Sequence, residues 1–497
     1  MSQESTLCGP PTPVDPRSQS SMSTDSSSSK DSGFDGASTD EEEHELLNQT
    51  IQDFSNSEDH EVRTAPVVTR QAYMAAGGTE TFPQRGLLGA LLDFTDIRDA
   101  EPTKNTDNRI YVNTNAPFSA LVCGVQGSGK SHTVSIMLEN MLISGQPSIG
   151  RLDKSLSGLV LHFGDGGADS QPSEAAYIGS PIASTVAAPR IVVYVSPSSI
   201  VTMRTMYKRI NSKIVVEPLL FSQNELDAKA FLSLMAVGSS ESAPLYMQTI
   251  LSILRELGEK FTYDQFMRRL DLKKQDLNPQ QLTGLKQRME LLQSFLDKSK
   301  KPPPGRFAAG QLTIVDLSDI FIDPHSACGL FEIVTRQFVR AKLGTGKVLV
   351  VDEAHKYLSA QKRESGLTRE LSSLVRQQRH LGMRVIISTQ EPTVVPNTLI
   401  DLCSVVIMHR FSSPSWWEHL AKHVSANMTG DEAFDRVVRL KTGQAILLAP
   451  SGLSACTTSD GVRKDYHLYG RRWALVKTRQ RITKDGGASV LVVSNAV

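Results

Sequence analysis

The chain has 497 residues, 39% of them hydrophobic and 21% charged, with 53 Lys and Arg balancing 53 Asp and Glu. That composition supports a sizeable core, in one large domain with appendages or in two or three smaller ones. Five scattered cysteines (Cys8, Cys123, Cys328, Cys403 and Cys456) without a CxxC pair argue against a zinc site or a disulfide scaffold and fit a reducing compartment. No run approaches the roughly 18 apolar residues of a membrane span and no signal sequence opens the chain, so the expectation is a soluble, intracellular protein with no membrane partner.

The zero net charge conceals an asymmetry. Residues 1–65 hold 14 Asp and Glu against Arg17, Lys30 and Arg63, which leaves 50 basic and 39 acidic residues in 66–497. The stretch SQSSMSTDSSSSKDSGFDGASTDEEEHE has little to bury and reads as a disordered, acidic, Ser-rich tail. A net charge of +11 on the remainder permits contact with nucleic acid without demanding it.

From Phe118 onward, apolar strand candidates alternate with helical stretches: FSALVC (118–123), GLVLHF (158–163), RIVVYVS (190–196), LTIVDLS (312–318), KVLVVDE (347–353), RVIIST (384–389), SVVIMHR (404–410) and AILLA (445–449). Continuous rather than alternating apolarity suits parallel strands covered on both faces, and the order predicts a doubly wound α/β core. Between about 222 and 300 the pattern turns helical, with stripes at Ile250, Leu251, Leu254 and Leu257 and at Leu282, Leu285, Met289, Leu292 and Leu296, until KPPPGR ends it. The expected organisation is a tail (1–65), an N-terminal part of the α/β domain (66–221), an inserted helical bundle (222–305) and the C-terminal part of that domain (306–497).

GVQGSGKS at 124–131 satisfies G-x-x-x-x-G-K-[ST] between a strand and a helix, the context in which that pattern is a phosphate cradle. Gly124, Gly127 and Gly129 allow left-handed backbone, so that the N–H groups from Gly124 through Val125, Gln126, Gly127, Ser128 and Gly129 to His132 converge on phosphate oxygens. The following helix aims its N-terminus at the same anion, Lys130 bridges the β- and γ-phosphates of ATP, and Ser131 ligates Mg²⁺.

The companion carboxylates come from VLVVDEAHKYL, whose buried strand delivers Asp352 and Glu353 to its carboxyl end, where ligands bind in open α/β sheets. Asp352 is the expected second Mg²⁺ group and Glu353 the residue that polarises the attacking water. His355 has no partner at metal-ligand spacing and reads as an ordinary helix residue. Gln390, just past the strand RVIIST, is placed to reach the γ-phosphate.

The string DEAH invites comparison with DEAH-box helicases, but Lys130 and Asp352 are 222 residues apart and only 107 residues follow Gln390, too few for a complete second RecA-like domain. Taken in order, GVQGSGKS, TIVDLSD, KVLVVDEAHKYL, RQQRHLGMRVIISTQEP and DLCSVVIMHRF resemble the HerA/FtsK superfamily of hexameric motor ATPases, in its HerA-like and conjugative branches, over roughly 115–450. The resemblance implies a RecA-like fold, ATP and Mg²⁺ as cofactors, self-assembly as a homo-hexamer and DNA as partner. It also nominates Arg379, on the helix before the Gln390 strand, as an arginine finger acting on a neighbouring subunit, with Arg376 and Arg384 as neighbours and Arg376 or Arg410, the latter ending the next strand, as the next candidates. One departure is that only about 50 residues (66–117) stand where HerA proteins carry an N-terminal β-barrel. Three readings stay open at this level: a ring-forming DNA translocase, an ATPase that remodels RNA or protein complexes, and a non-catalytic nucleotide-binding interaction protein.

Overall fold

The computed structural model describes residues 44–45, 60–94, 107–167, 170–235, 245–297, 305–358, 365–424, 431–457 and 464–487. Most of the acidic tail therefore lies outside the described residues. The folded part begins before residue 66. Residues 60–64 are helical, Val62 and Ala65 are buried against Tyr73 and Tyr111, and the Asn113 side-chain amide donates to the carbonyls of Arg63 (2.9 Å) and Ala65 (3.0 Å).

Sixteen strands form one mixed sheet among the described residues. Its centre is all parallel, in the spatial order Val405–Met408, Ser119–Cys123, Met383–Thr389, Lys347–Val351, Ser157–His162, Gln311–Asp316, Arg190–Val195 and Val215–Pro218. Continuous apolar runs have a direct structural meaning here. Leu121, Leu159, Leu161, Leu349 and Val351 enter one core, while Ala120, Val122, Val160, Val348 and Val350 enter another on the opposite face. Both faces are covered, so alternate residues need not be polar. This is the α/β, RecA-like doubly wound sheet that the resemblance implied.

Eight of the sixteen strands were not legible as such: Val215–Pro218 at the edge of the parallel centre, and seven of the eight strands outside it. Gln444–Leu448, an expected strand, runs antiparallel to Val405–Met408 and starts a flank that continues through Trp473–Thr478, Arg85–Phe94, Arg109–Val112 and Val67–Thr69. The residues that precede the central sheet in sequence thus join its antiparallel extension, together with C-terminal strands. Arg85–Phe94 is only partly buried along its length, which is why it lacks the uniform apolar run of the central strands.

The helical stretch contains Ala228–Met235, Leu245–Leu257, Tyr263–Lys273 and Pro279–Ser294. Its buried stripes are Ile250, Ile253, Leu254 and Leu257, with Leu251 only partly covered, and Leu285, Met289 and Leu292. The chain leaves the sheet and returns side by side: Phe221 N–H donates to the Phe295 carbonyl (2.7 Å) and Asp297 N–H to the Phe221 carbonyl (2.9 Å).

Truncation distinguishes the two possible starts of the folded part. A chain beginning at Pro66 loses the burial of Val62 and Ala65, a cost of about 2 kcal/mol for a valine-sized apolar group. Its thermal midpoint is expected several degrees below that of a chain beginning at Glu58. Equal midpoints would show that residues 60–65 contribute nothing to the fold.

Candidate functional site

Adjacent strand ends assemble the site. In the sheet, Met383–Thr389 lies between Ser119–Cys123 and Lys347–Val351, with Thr389 opposite Cys123 and Ile387 opposite Val351. All three strands are parallel, so Gly124, Gln390 and the Asp352–Glu353 pair emerge at one edge.

The loop after Cys123 has the backbone that its glycines permit. Gly124, Gly127 and Gly129 have φ of +145°, +72° and +113°, and Gly129 caps the helix Lys130–Leu142 without any side-chain cap. The helix N-terminal N–H groups are thus left for an anion. Val125 N–H donates to the Arg410 carbonyl (3.0 Å), Gly443 N–H to the Ser128 carbonyl (3.2 Å), and Ser128 Oγ to the Val125 carbonyl (2.7 Å). Lys130 is 4% exposed, and its Nζ donates to the Val125 carbonyl at 3.1 Å. Burial draws its ammonium below the usual lysine range, against the opposing pull of Glu353 and Asp352.

His409 forms the floor of the loop. Its Nδ1 meets the Gln444 carbonyl (3.0 Å), which only accepts, so Nδ1 carries the proton and Nε2 accepts from Thr133 Oγ1 (2.9 Å). Burial pushes its pKa down to about 4, so the floor is neutral at physiological pH. Ser131 is partly buried at the helix start. The His132 side chain turns away from the loop, its Nε2 meeting the Arg479 carbonyl at 2.9 Å. Only the backbone of His132 is thereby left to serve the cradle.

Asp352 is buried, and its Oδ2 meets His162 Nδ1 at 3.2 Å. Burial would raise its carboxyl, but the His162 hydrogen bond and charge and the Glu353 backbone N–H hold it below the usual range. Behind it, Asp316 accepts a hydrogen bond from the Tyr207 hydroxyl. Asp316 belongs to the TIVDLSD motif, but His162 and Tyr207 carried no sequence signal of their own, and the proximity of these residues to Asp352 depends on pairing between distant strands.

Glu353 has φ +49° and ψ +42°, the one non-glycine with positive φ among the described residues. A left-handed glutamate is strained backbone, of the kind that collects at functional positions. Its carboxylate accepts both bonds from the Gln390 amide, at 3.1 and 2.9 Å. His355 is no ordinary helix residue. It lies in a short 3₁₀ turn (Ala354–Lys356), with Nε2 3.4 Å from Glu353 Oε2 and Nδ1 accepting from Gln390 N–H at 3.4 Å.

The donor set suits a hard cation: a serine hydroxyl at the helix start and an aspartate held ionised. Among the described residues no group of three or more His, Cys, Asp or Glu side chains is arranged to hold a metal. A magnesium ion fits Ser131 and Asp352 as one that arrives with a nucleotide and completes its shell with phosphate and water.

Arg379 stands apart from this cluster. The helix Gly366–Leu381, capped by Ser365 and ended at left-handed Gly382, buries Leu371, Leu374 and Val375 and exposes Arg376 and Arg379. Arg376 lines a surface pocket of about 370 Å³ with Arg369, Ser373 and Thr398. Arg384 is buried, and its guanidinium donates to the carbonyls of Gly382, Thr114 and Asn115, a structural role.

The loop geometry ranks its glycines. A Cβ on Gly124 would lie 2.8 Å from both His409 Cβ and Ser128 Oγ, whereas one on Gly127 meets nothing within 4 Å. Both replacements strain a positive φ, but Gly124→Ala also displaces the floor. Gly124→Ala is expected to lower the thermal midpoint more than Gly127→Ala, and the reverse order would contradict the loop as described.

No protein-family model matches the chain, and no curated protein matches it. Among solved structures it is similar to VirB4 of Thermoanaerobacter pseudethanolicus, at 12% identity and a TM-score of 0.43, over 80% of this chain and 96% of that one. It is also similar to the genome packaging NTPase B204 of Sulfolobus turreted icosahedral virus 2 in complex with AMPPCP, at 11% identity and a TM-score of 0.28, over 71% and 97%. A third is the cytoplasmic domain of the type VII secretion ATPase EccC of Thermomonospora curvata, at 12% identity and a TM-score of 0.30, over 80% of this chain and 28% of that one. At these identities and scores, what the site does is read from its own residues.

Proposed function

We propose that this chain is a P-loop ATPase that hydrolyses ATP between the loop Gly124–Ser131 and the Asp352–Glu353 pair. The observation that carries this reading is the convergence of a buried lysine, an uncapped helix N-terminus and two carboxylates at one sheet edge, with the Gln390 amide on the second carboxylate. The N–H groups of Gly124 to His132, apart from those of Val125 and Ser128, which are bound to the Arg410 and Val125 carbonyls, cradle the phosphates, and Lys130 moves from the Val125 carbonyl to the β- and γ-phosphates. Ser131 and Asp352 would hold Mg²⁺, which would supply positive charge against the phosphate oxygens. Glu353 accepts the proton of the attacking water, and Gln390 contacts the γ-phosphate.

The order of motifs resembles that of HerA/FtsK motors, and the basic charge of residues 66–497 suits a polyanionic substrate. We therefore read the chain as a ring-forming motor, a homo-hexamer that moves DNA, with exposed Arg379 as the residue that reaches the neighbouring subunit's γ-phosphate.

Two substitutions separate binding from chemistry. Lys130→Ala removes the cation at the β- and γ-phosphates, so nucleotide affinity falls. Glu353→Gln keeps the shape but loses the base, so ATP binds and persists while turnover falls by about 10²-fold or more. Parent-like hydrolysis by both variants, measured as phosphate release, would refute the assignment.

Arg379→Ala is expected to lose about 10³-fold in turnover with nucleotide affinity spared, the scale of an arginine finger. Mixing Lys130→Ala with Arg379→Ala subunits restores part of the activity, because some sites then pair an intact loop with an intact arginine. A mixture that exchanges subunits and stays inactive would show that Arg379 does not act in trans.

A further inference from the structure

Glu353 is held from two sides. The Gln390 side-chain amide donates to both of its carboxylate oxygens, and the His355 imidazole meets Oε2 at 3.4 Å. The imidazole has a defined tautomer. Gln390 N–H can only donate, so Nδ1 of His355 accepts and the ring proton of the neutral form sits on Nε2, facing the carboxylate. Burial draws His355 below the ordinary histidine range, which favours that neutral form. Lys356, Lys130 and Glu391 are the other charges that face it.

The two holders are not equivalent. Gln390 extends from the end of a strand and has its amide committed to Glu353. A glutamine that contacts the γ-phosphate gives up at least part of that commitment. His355 sits two residues beyond Glu353, in the 3₁₀ turn that Glu353 caps, and its second nitrogen is fixed by a backbone N–H rather than by a mobile side chain. It can stay beside Glu353, 3.4 Å from Oε2, after the amide of Gln390 has turned. Glu353 also has the most to lose from a missing partner. Its backbone is left-handed at φ +49°, and its direction is set by surrounding contacts rather than by local preference.

We propose that His355 is the positioning residue of Glu353: it ties the carboxylate to the end of the Met383–Thr389 strand and keeps it aimed at the attacking water when Gln390 engages the γ-phosphate. This rests on the reading of Glu353 as the water-activating carboxylate. A positioning partner of this kind is worth about 10- to 100-fold in activity by analogy with groups that orient metal ligands.

The test uses steady-state ATP turnover by the full chain carrying His355→Ala, His355→Gln or His355→Phe, with thermal melts of each. His355→Ala and His355→Phe are expected to lose about 10- to 100-fold in kcat with KM within about twofold. His355→Gln, which supplies one acceptor and one donor, recovers most of kcat. In a Glu353→Gln background, His355→Ala causes no further loss, because the aimed group is already gone. Parent-like turnover by His355→Phe would overturn the proposal in favour of packing alone, and the Gln and Phe pair decides even if the alanine variant fails to fold. A raised KM with unchanged kcat, or additive losses in the double variant, would overturn it too. Parent-like turnover by Glu353→Gln itself would instead sink the assignment on which the proposal rests.

Discussion

Everything at the sheet edge depends on one constraint, a lysine ammonium buried to 4% exposure at the first position of a helix. A cation there is unfavourable unless polar or negative groups surround it. The chain meets that need with the Val125 carbonyl at 3.1 Å and with the charges of Glu353 and Asp352. The left-handed glycines at 124, 127 and 129 belong to the same loop, whose Val125 carbonyl accepts from Lys130 Nζ. The floor contributes no competing charge, since buried His409 stays neutral. Attraction for an anion therefore comes from Lys130, the loop N–H groups and the helix N-terminus together.

The loop helix is also tied to the far end of the chain. Glu139, fully buried on Lys130–Leu142, receives Arg479 Nη1 at 2.7 Å, Thr483 N–H at 3.0 Å and Thr483 Oγ1 at 2.6 Å. Arg481 pairs in turn with Glu174. Residues 479–487 thus strap the helix that carries Lys130 and Ser131 to the antiparallel flank. A buried carboxylate with several donors fixes one geometry, since any other leaves the charge without partners.

Much of this was readable in advance, for a physical reason. Lys130, Asp352, Glu353 and Gln390 each directly follow a buried strand or its turn, so an apolar run points at them in the sequence. Parallel pairing then brings the ends of those strands together without further information. The antiparallel flank beyond Gln444–Leu448 was missed because its strands are short, such as Val67–Thr69, or half-exposed, such as Arg85–Phe94, and are paired by segments from opposite ends of the chain. His355 looked ordinary because its partners are a neighbour with unusual backbone and an amide 35 residues away. The His162–Asp352 contact spans 190 residues and no local pattern announces it. In the helical stretch the periodicity was right, but Ile253 rather than Leu251 completes the buried stripe, since rotation about the helix axis is set by what it packs against. Arg379 was legible as a residue on the flank of the helix stripe, and it is exposed.

The most direct test of the account is a structure of the chain with Mg²⁺ and a non-hydrolysable ATP analogue. The account places the phosphates over the N–H groups of the loop that are not bound to carbonyls, up to that of His132. Lys130 Nζ leaves the Val125 carbonyl for the β- and γ-phosphates, the metal lies between Ser131 and Asp352, and the Gln390 amide turns from Glu353 toward the γ-phosphate. An analogue bound elsewhere, or one bound at the loop with Lys130 still on the Val125 carbonyl, would contradict it.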